Sequence, residues 1–395
     1  DTATPATPAT PATPATPAAP TVNNITVAAA TTSVFGTADN DVIGSTSTTL
    51  TNAHIIADSS TADADILNIV TTGDFGGAAG TAVAPTVVGI ETVNFILESV
   101  TALGTTTDAI FQAGASNMAA GTFTMDVNKV ASPIASGTIT GLATGSTVTF
   151  SDDFSTAATV TGDDNAALTV TASADTITAN TGAGAATATT MTGTDSAAGA
   201  DTTMVSNSDA AATFTTTGSD MTINATAATT VVATSAGDID ADTNNLTAAT
   251  SVTLTSAHEM AVEMAAAATA TLSAGGTTAS TVKDGGGTGT TLTSITLSGN
   301  GSAHSFNLTD ASSISAITLT GSQNVTAIVD AADLDGLTSN KITVTDNTAD
   351  AASANITTTL QIQGTAGDVD ATAAAVDAIT LAVSNAAKTL TVASG

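Results

Sequence analysis

The sequence predicts an all-β fold, a β-solenoid (parallel β-helix) of short strands with Asp- and Gly-rich loops, preceded by a Pro-rich extended arm. Short runs that alternate apolar or β-branched residues with Thr or Ser recur along the chain, often at a spacing of about 20 residues. A strand of four residues cannot bury its apolar face alone, whereas coils stacked about 4.8 Å apart give every strand two neighbours. The clearest runs are Thr147–Phe150, Leu168–Thr171, Met221–Asn224, Val252–Thr255, Ile295–Ser298, Ile317–Thr320, Ile342–Thr345 and Ile379–Ala382.

The composition predicts a narrow core of small side chains. The 395 residues are 42% hydrophobic with a mean hydropathy of +0.31, above the range of disordered acidic chains, yet they include no Trp, no Tyr and only 9 Phe. A string of β-sandwich modules would also give regularly spaced short strands, but such modules usually bury aromatic residues. The shortage of aromatics therefore favours the solenoid.

Residues 1–20 form a separate segment, an Ala-Thr-Pro repeat that holds six of the 8 prolines. Proline at every third position favours polyproline II and blocks sheet and helix pairing. Fully extended, the segment would span roughly 60 Å. We interpret it as a semi-rigid linker, with a disordered linker as the alternative.

One segment leaves helix and strand open. Ser256 is followed three residues later by Glu259, the pattern of a capping box, and Met260, Met264 and an alanine run come next. Alanine favours helix, so a helix is one expectation here. A strand that continues the solenoid is the other.

The charge of the chain excludes several functions. Asp and Glu total 35 against 4 basic residues, all of them Lys, for a formal net charge of -31. Nucleic-acid binding needs clustered Lys or Arg, and a chain without Cys has neither disulfides nor thiolate metal sites. Because a charge of this size is strongly self-repelling, we expect counter-cations to be bound, although a single Asp is more often simply a solvated loop residue.

A nine-residue motif provides the first candidate site. Residues 36–44, GTADNDVIG, resemble one unit of the calcium-binding nonapeptide repeat of RTX proteins, with Gly36, Asn40, Asp41 and Ile43 at matching positions. Thr37 and Asp39 stand where the repeat prefers Gly.

Two downstream segments extend this resemblance. Residues 63–69, DADILNI, and 88–95, VGIETVNF, follow the motif in the order found in the crystallising region of bacterial RTX-type surface-layer (S-layer) proteins. The specific resemblance covers roughly residues 36–97, and the later Thr/Ala/Ser repeats resemble that family only in their general composition. It implies a structural lattice protein with calcium-dependent assembly, exported by a type I system and held on the outer membrane through lipopolysaccharide.

The predicted metal ligands lie in these segments. Carboxylate oxygens are the ligands that Ca²⁺ prefers, in sets of six to eight that include backbone carbonyls. The predicted set is Asp39, Asn40, Asp41, Asp63, Asp65 and Glu91, with Asn40 included on the resemblance to the RTX turn. The alternative is that these residues cap turns between coils.

Enzyme motifs are incomplete, and we expect no enzymatic activity. His258-Glu259 begins HExxH, but Val262 occupies the position of the second His, and P-loop and G-x-S-x-G motifs are absent. Nothing in the sequence places a His beside a nucleophile. A polysaccharide-processing enzyme needs two carboxylates and residues that hold sugar, and this chain has almost no basic or aromatic residues for that purpose.

Together these observations predict a secreted, extracellular protein of the cell surface that assembles with copies of itself into an S-layer lattice in the presence of Ca²⁺. We divide it into a linker (1–20), an RTX-like calcium-binding segment (21–100) and a Thr/Ala-rich self-assembly solenoid (101–395). No apolar stretch is long enough to span a membrane. The alternative is a subunit of an extracellular filament or adhesin, in which the strand Ile25-Thr26-Val27 adds to the sheet of a neighbour.

Overall fold

The computed structural model describes the chain from residue 21 to residue 392 with gaps. The described residues are 21–46, 49–51, 53–60, 63–71, 85–97, 108–112, 121–126, 136–162, 167–181, 188–194, 201–208, 210–241, 245–284, 292–330, 343–348, 357–364, 369–371, 376–383 and 390–392. The linker predicted at 1–20 lies outside them.

The described residues form strands and turns, and they contain no helix. The first strands are β1 (Val22–Thr26), β2 (Ser33–Phe35), β3 (Asn40–Thr46), β4 (Ile55–Ala57), β5 (Ile66–Thr71), β6 (Thr86–Val88), β7 (Thr92–Leu97), β8 (Asp108–Gln112), β9 (Thr122–Asp126), β10 (Ser136–Leu142), β11 (Ser146–Gly162) and β12 (Leu168–Thr181). The middle strands are β13 (Ala188–Gly193), β14 (Asp201–Ser206), β15 (Ala211–Thr216), β16 (Asp220–Asn224), β17 (Thr230–Ser235), β18 (Ile239–Ala241), β19 (Ser251–Ser256), β20 (Met260–Glu263), β21 (Thr269–Ala274) and β22 (Ser280–Lys283). The last are β23 (Ser294–Gly299), β24 (His304–Asp310), β25 (Ala316–Gly321), β26 (Val325–Asp330), β27 (Thr343–Thr348), β28 (Thr358–Gly364), β29 (Val369–Ala371), β30 (Ala378–Val383) and β31 (Leu390–Val392).

The strands stack in parallel, each on the strand of the same kind in the next coil, which confirms the predicted β-solenoid. One ladder runs through β1, β3, β5, β7 and β9, the first halves of β11 and β12, and the odd-numbered strands β13 to β27. A second runs through β8, β10, the second halves of β11 and β12, and the even-numbered strands β14 to β30. Two short sheets, β2-β4-β6 and β29-β31, complete the described part of the solenoid.

The predicted strand runs lie in these ladders. All eight fall within β11, β12, β16, β19, β23, β25, β27 and β30, except that Ile342 precedes the first described residue of β27. The coil length is irregular, since Ser251 pairs with Thr269, 18 residues on, while Ala316 pairs with Thr343, 27 residues on. The spacing between paired strands therefore varies along the chain, so the period is weak in the sequence although the strands still pair from coil to coil.

The core is a column of stacked apolar side chains. In the odd-numbered ladder, Leu254, Leu272, Leu297 and Leu319 occupy equivalent positions in successive coils, and each is at most 1% exposed. Identical stacking of aliphatic side chains fills a narrow interior without large rings, and each buried Leu contributes about 1.5–3 kcal/mol. Phenylalanines such as Phe95 and Phe214 are also buried in this core.

The helix considered after Ser256 does not form. Met260, Val262 and Met264 point inward at every second position, so the segment continues the solenoid as β20. Ser256 Oγ accepts a hydrogen bond from the His258 N–H at 3.0 Å and donates to the Glu259 carbonyl at 3.1 Å, closing a turn instead of capping a helix. The helix expectation is wrong because burial of every second residue overrides the helix propensity of alanine.

The division near residue 100 falls within residues 98–107, outside the described residues, and the ladder connects β7 directly to β9 across it. No helix with the length and apolar character needed to cross a bilayer occurs in the described part of the chain.

Candidate metal centre

The three segments that carry the resemblance lie in consecutive coils. They overlap β3, β5 and β7, which pair in register so that Ile43, Leu67 and Val93 form one buried row. The polar residues at the start of β3 and just before β5 and β7 therefore meet at one corner of the solenoid. Stacking thus brings together residues that are more than twenty positions apart in sequence.

Backbone N–H groups bind side-chain oxygens from coil to coil at this corner. The Asp41 N–H donates to Asp65 Oδ1 at 2.8 Å, and the Asp65 N–H donates to Glu91 Oε2 at 2.9 Å. The Ala64 N–H donates to Asn40 Oδ1 at 3.2 Å. These bonds cap strand starts, the role that the alternative interpretation assigned to these residues.

Three carboxylates converge beside this chain of hydrogen bonds. Asp41, Asp58 and Asp65 each place one oxygen within 4.8 Å of the other two. All three are buried, with 0%, 7% and 0% of their surface exposed. No Lys or His of the described chain forms an ion pair with any of them. Three like charges thus lie together in a desolvated place, an arrangement that a cation would stabilise.

Neighbouring backbone groups fix the three carboxylates. Asp58 follows β4, its N–H donates to the Val88 carbonyl at 2.9 Å, and its Oδ1 accepts the Ser60 N–H at 2.5 Å. The Thr37 N–H donates to Asp41 Oδ2 at 2.5 Å. The chain itself therefore holds one oxygen of Asp58 and of Asp65 and both oxygens of Asp41, whose Oδ1 accepts the Thr37 hydroxyl at 3.2 Å.

Two oxygens remain without a partner. Asp58 Oδ2 and Asp65 Oδ2 are buried and make no hydrogen bond. A buried carboxylate oxygen without a partner is costly, so these atoms indicate a ligand. Gly36 lines the same place, since a Cβ there would overlap Asp58 Oδ2 and lie 2.7 Å from Asp41 Oδ2. Glycine at this position lets the carboxylates approach each other.

The pKa of Asp65 reflects the electrostatic cost of burying these carboxylates together. Burial raises the pKa of Asp65 to about 6, and repulsion from Asp63, Asp58 and Asp41 adds to the increase, while the hydrogen bond from the Asp41 N–H opposes it. The Asp65 carboxyl group thus keeps its proton to a higher pH than an ordinary aspartate does, and nearby positive charge would offset this cost.

The structure brings together some of the predicted ligands and adds one. Asp41 and Asp65 are in the converging group, whereas Asn40 and Glu91 accept backbone N–H groups beside it. The remaining two differ in burial: Asp39 is exposed, and Asp63 has both carboxylate oxygens buried without a hydrogen bond.

Asp58 was missed because it lies outside the motifs that resemble the RTX repeat. Its signal in the sequence is local: an Asp directly after the apolar run Ile55-Ile56-Ala57, at the end of a strand. Only the stacking of β4 on β2 places that strand end beside Asp41.

The donor set fits a hard divalent cation. All three converging groups are carboxylates, and Ca²⁺ prefers oxygen ligands, whereas Zn²⁺ favours His and Cys. Asp41, Asp58 and Asp65 would supply the charge. Backbone carbonyls and water would complete the coordination.

A second group of possible ligands lies at the surface of the middle coils. Asp220, Asp238 and His258 have ligand atoms within 4.8 Å of one another, and His258 Nδ1 lies 3.6 Å from Asp238 Oδ1. Burial raises the pKa of Asp238, and Glu259 and Asp220 add to the increase. The Asp238 N–H donates to Asp220 Oδ1 at 2.8 Å, and the Glu259 N–H to Asp238 Oδ1 at 3.3 Å. This group is a partly exposed turn network, unlike the buried one.

His304 lies beside a serine hydroxyl, a contact that the sequence did not predict. Ser280 Oγ is 2.8 Å from His304 Nε2, and burial lowers the pKa of His304. His304 borders a surface pocket of about 380 Å³. Ser280, however, is completely buried, and its Oγ also accepts the Met260 N–H at 2.9 Å. A substrate carbonyl has no approach to this hydroxyl in the arrangement described.

Comparison with protein-family models, with curated proteins and with solved structures finds no match to this chain. The geometry of the solenoid and of its carboxylate corner is therefore the basis for the functional proposal.

Proposed function

We propose that this protein is a structural component of a cell surface, a β-solenoid rod that binds Ca²⁺ at Asp41, Asp58 and Asp65 and assembles with copies of itself into an S-layer lattice. The observation that carries the proposal is the convergence of these three buried carboxylates, with two of their oxygens unpartnered. A bound cation would offset the cost of burying these carboxylates together.

The net charge supports calcium-dependent assembly. Copies of a chain with a charge of -31 repel each other, and bound divalent ions reduce that repulsion while they fix the corner of the rod. The resemblance of residues 36–97 to RTX-type S-layer proteins supports the same function. The same resemblance is our reason for proposing an extracellular location, export by a type I system and attachment to outer-membrane lipopolysaccharide.

Electron microscopy of the full chain, with Ca²⁺ and after chelation with EDTA, tests this function. We expect a two-dimensional lattice in Ca²⁺ and dispersed particles in EDTA. Gly36→Ala should displace Asp58 and Asp41 and weaken the response to Ca²⁺ without removing a carboxylate. Gly44→Ala is the matched control, because the nearest atom to its new Cβ lies 3.9 Å away. Assemblies that are identical in EDTA would contradict the proposal.

A filament or adhesin subunit is the second candidate. β1 pairs with β3 along one edge, and no described strand pairs with its other edge. An open edge at the end of a solenoid can accept a strand from another molecule. Isolated fibres on the micrographs, in place of a lattice, would favour this candidate.

A further inference from the structure

An exposed apolar face lies next to the metal centre. Of the five large apolar side chains that are exposed in the described chain, Phe35, Ile55 and Val88 belong to the small sheet β2-β4-β6, with exposed fractions of 68%, 43% and 46%. A cluster of this kind on one sheet is unusual in a chain whose outward positions are mostly Thr, Ser and Asp.

The register of the sheet makes these residues neighbours. Phe35, Ala57 and Val88 form one row across the three strands, and Ile55 lies two residues before Ala57 on the central strand. Their sequence neighbours Val34, Ile56 and Val87 point inward and are buried. The outward positions of the sheet are Ser33, Phe35, Ile55, Ala57, Thr86 and Val88, and none of them is charged. We name these six residues the outer patch.

We propose that the outer patch is the surface through which one copy of this chain docks on another, and that cation binding at the adjacent corner permits the contact. This inference rests on the proposed function, for which it supplies the interface between subunits.

Charge is the reason for choosing a second copy as the partner. The chain carries -31 in total, so two copies approach most easily through surfaces without carboxylates, and the outer patch is such a surface. A basic partner would instead be drawn to the acidic loops. Two copies of one apolar patch are self-complementary about a two-fold axis, the commonest arrangement of identical subunits.

The metal centre lies at the end of the same strands. Gly36 directly follows Phe35, and Asp58 directly follows Ala57, so the carboxylates gather at the border of the outer patch. Without a cation, docking would bring the carboxylate clusters of two copies toward each other while the surface between them is dehydrated. With a divalent ion bound, most of that repulsion is removed.

The size of the outer patch suits repeated weak contacts. Three short strands about 4.8 Å apart present much less than the roughly 800 Å² per partner of a standard stable interface. A contact through the outer patch is therefore weak by itself, and it supports an assembly only together with the other contacts that each subunit makes.

The critical concentration for Ca²⁺-dependent assembly of the full chain, measured by light scattering and sedimentation, tests the interface. Phe35→Thr and Val88→Thr should each raise it several-fold, and both should do so without lowering the melting temperature. Val232→Thr is the matched control, because Val232 is 37% exposed on β17, away from the outer patch, and we expect no change.

The outcomes separate this inference from the proposed function. If Phe35→Thr assembles like the wild type, the outer patch is not the interface, although calcium-dependent assembly stands. If the wild type fails to assemble in Ca²⁺, both ideas are overturned. If the outer patch variants and Val232→Thr lose assembly equally, surface apolarity in general is responsible and the docking site is rejected.

Discussion

The coils at the N-terminal end and those in the middle of the rod use different polar residues at buried corners. In the middle, hydroxyl groups pair from coil to coil: Thr202 with Ser219 at 2.9 Å, and Thr216 with Ser235 at 2.9 Å. All four are at most 3% exposed. A hydroxyl group can both donate and accept, so a stack of Thr and Ser satisfies itself.

The N-terminal corner cannot do the same. Ionised carboxylates only accept hydrogen bonds, and Asp58 and Asp65 each keep one oxygen that no group of the described chain satisfies. The same solenoid geometry therefore gives a corner that satisfies its own hydrogen bonds where the residues are hydroxyls, and a corner that keeps unpartnered oxygens where Asp58 and Asp65 meet. The comparison predicts that loss of the ion will affect one end of the rod.

Removal of calcium should have the largest effect, and it should be local. At a free Ca²⁺ concentration about a thousand times the dissociation constant, binding adds about 4 kcal/mol of stability. Hydrogen–deuterium exchange before and after EDTA should show faster exchange in residues 33–71, with little change in residues 210–241. Uniform loss of protection along the rod would contradict the difference between the two regions.

The next effect is a pH dependence of the cation-free protein. The pKa of Asp65 is raised by burial from 3.8 to about 6, so the unfolded chain releases this proton first as the pH rises. Stability should therefore be highest below about pH 4, fall between pH 4 and 6 by up to about 3 kcal/mol, and stay level above that. Urea unfolding in EDTA measures it, and Asp65→Asn should flatten the curve. With saturating Ca²⁺ the fall should be much smaller.

The sequence predicted the fold better than the site. The alternation of apolar residues with Thr and the shortage of aromatics were enough to predict the solenoid, because every coil needs the same alternation of buried and exposed residues. The converging carboxylates depend on which strand ends meet, and this depends on irregular coil lengths. Asp41 and Asp65 were found through motif resemblance, while Asp58 has no motif and is placed by the pairing of β2 with β4. Likewise, the contact between Ser280 and His304 joins residues of successive coils that no local pattern relates.

Replacing one ligand gives a more selective test than chelation. Asp58→Asn keeps an oxygen that can accept the Ser60 N–H but removes one of three charges, so we expect calcium affinity to fall about tenfold to a hundredfold. Isothermal titration calorimetry measures the affinity. Asp39→Asn is the control, because it makes the same charge change at an exposed residue outside the converging group, and its affinity should remain near that of the wild type. Equal losses in both variants would indicate a general effect of net charge.

The smallest expected effect lies in the hydroxyl corner and should not depend on calcium. Thr216→Val keeps the shape of the side chain but leaves Ser235 and the Ser219 carbonyl, to which Thr216 donates at 2.9 Å, with one partner fewer. The loss should be about 1–2 kcal/mol, equal in Ca²⁺ and in EDTA. Thr213→Val, at an outward position of the same strand, is the control and should be nearly neutral. Unfolding curves of both variants in both buffers decide the matter: a calcium-dependent loss in Thr216→Val would mean that the two kinds of corner are coupled along the rod rather than independent.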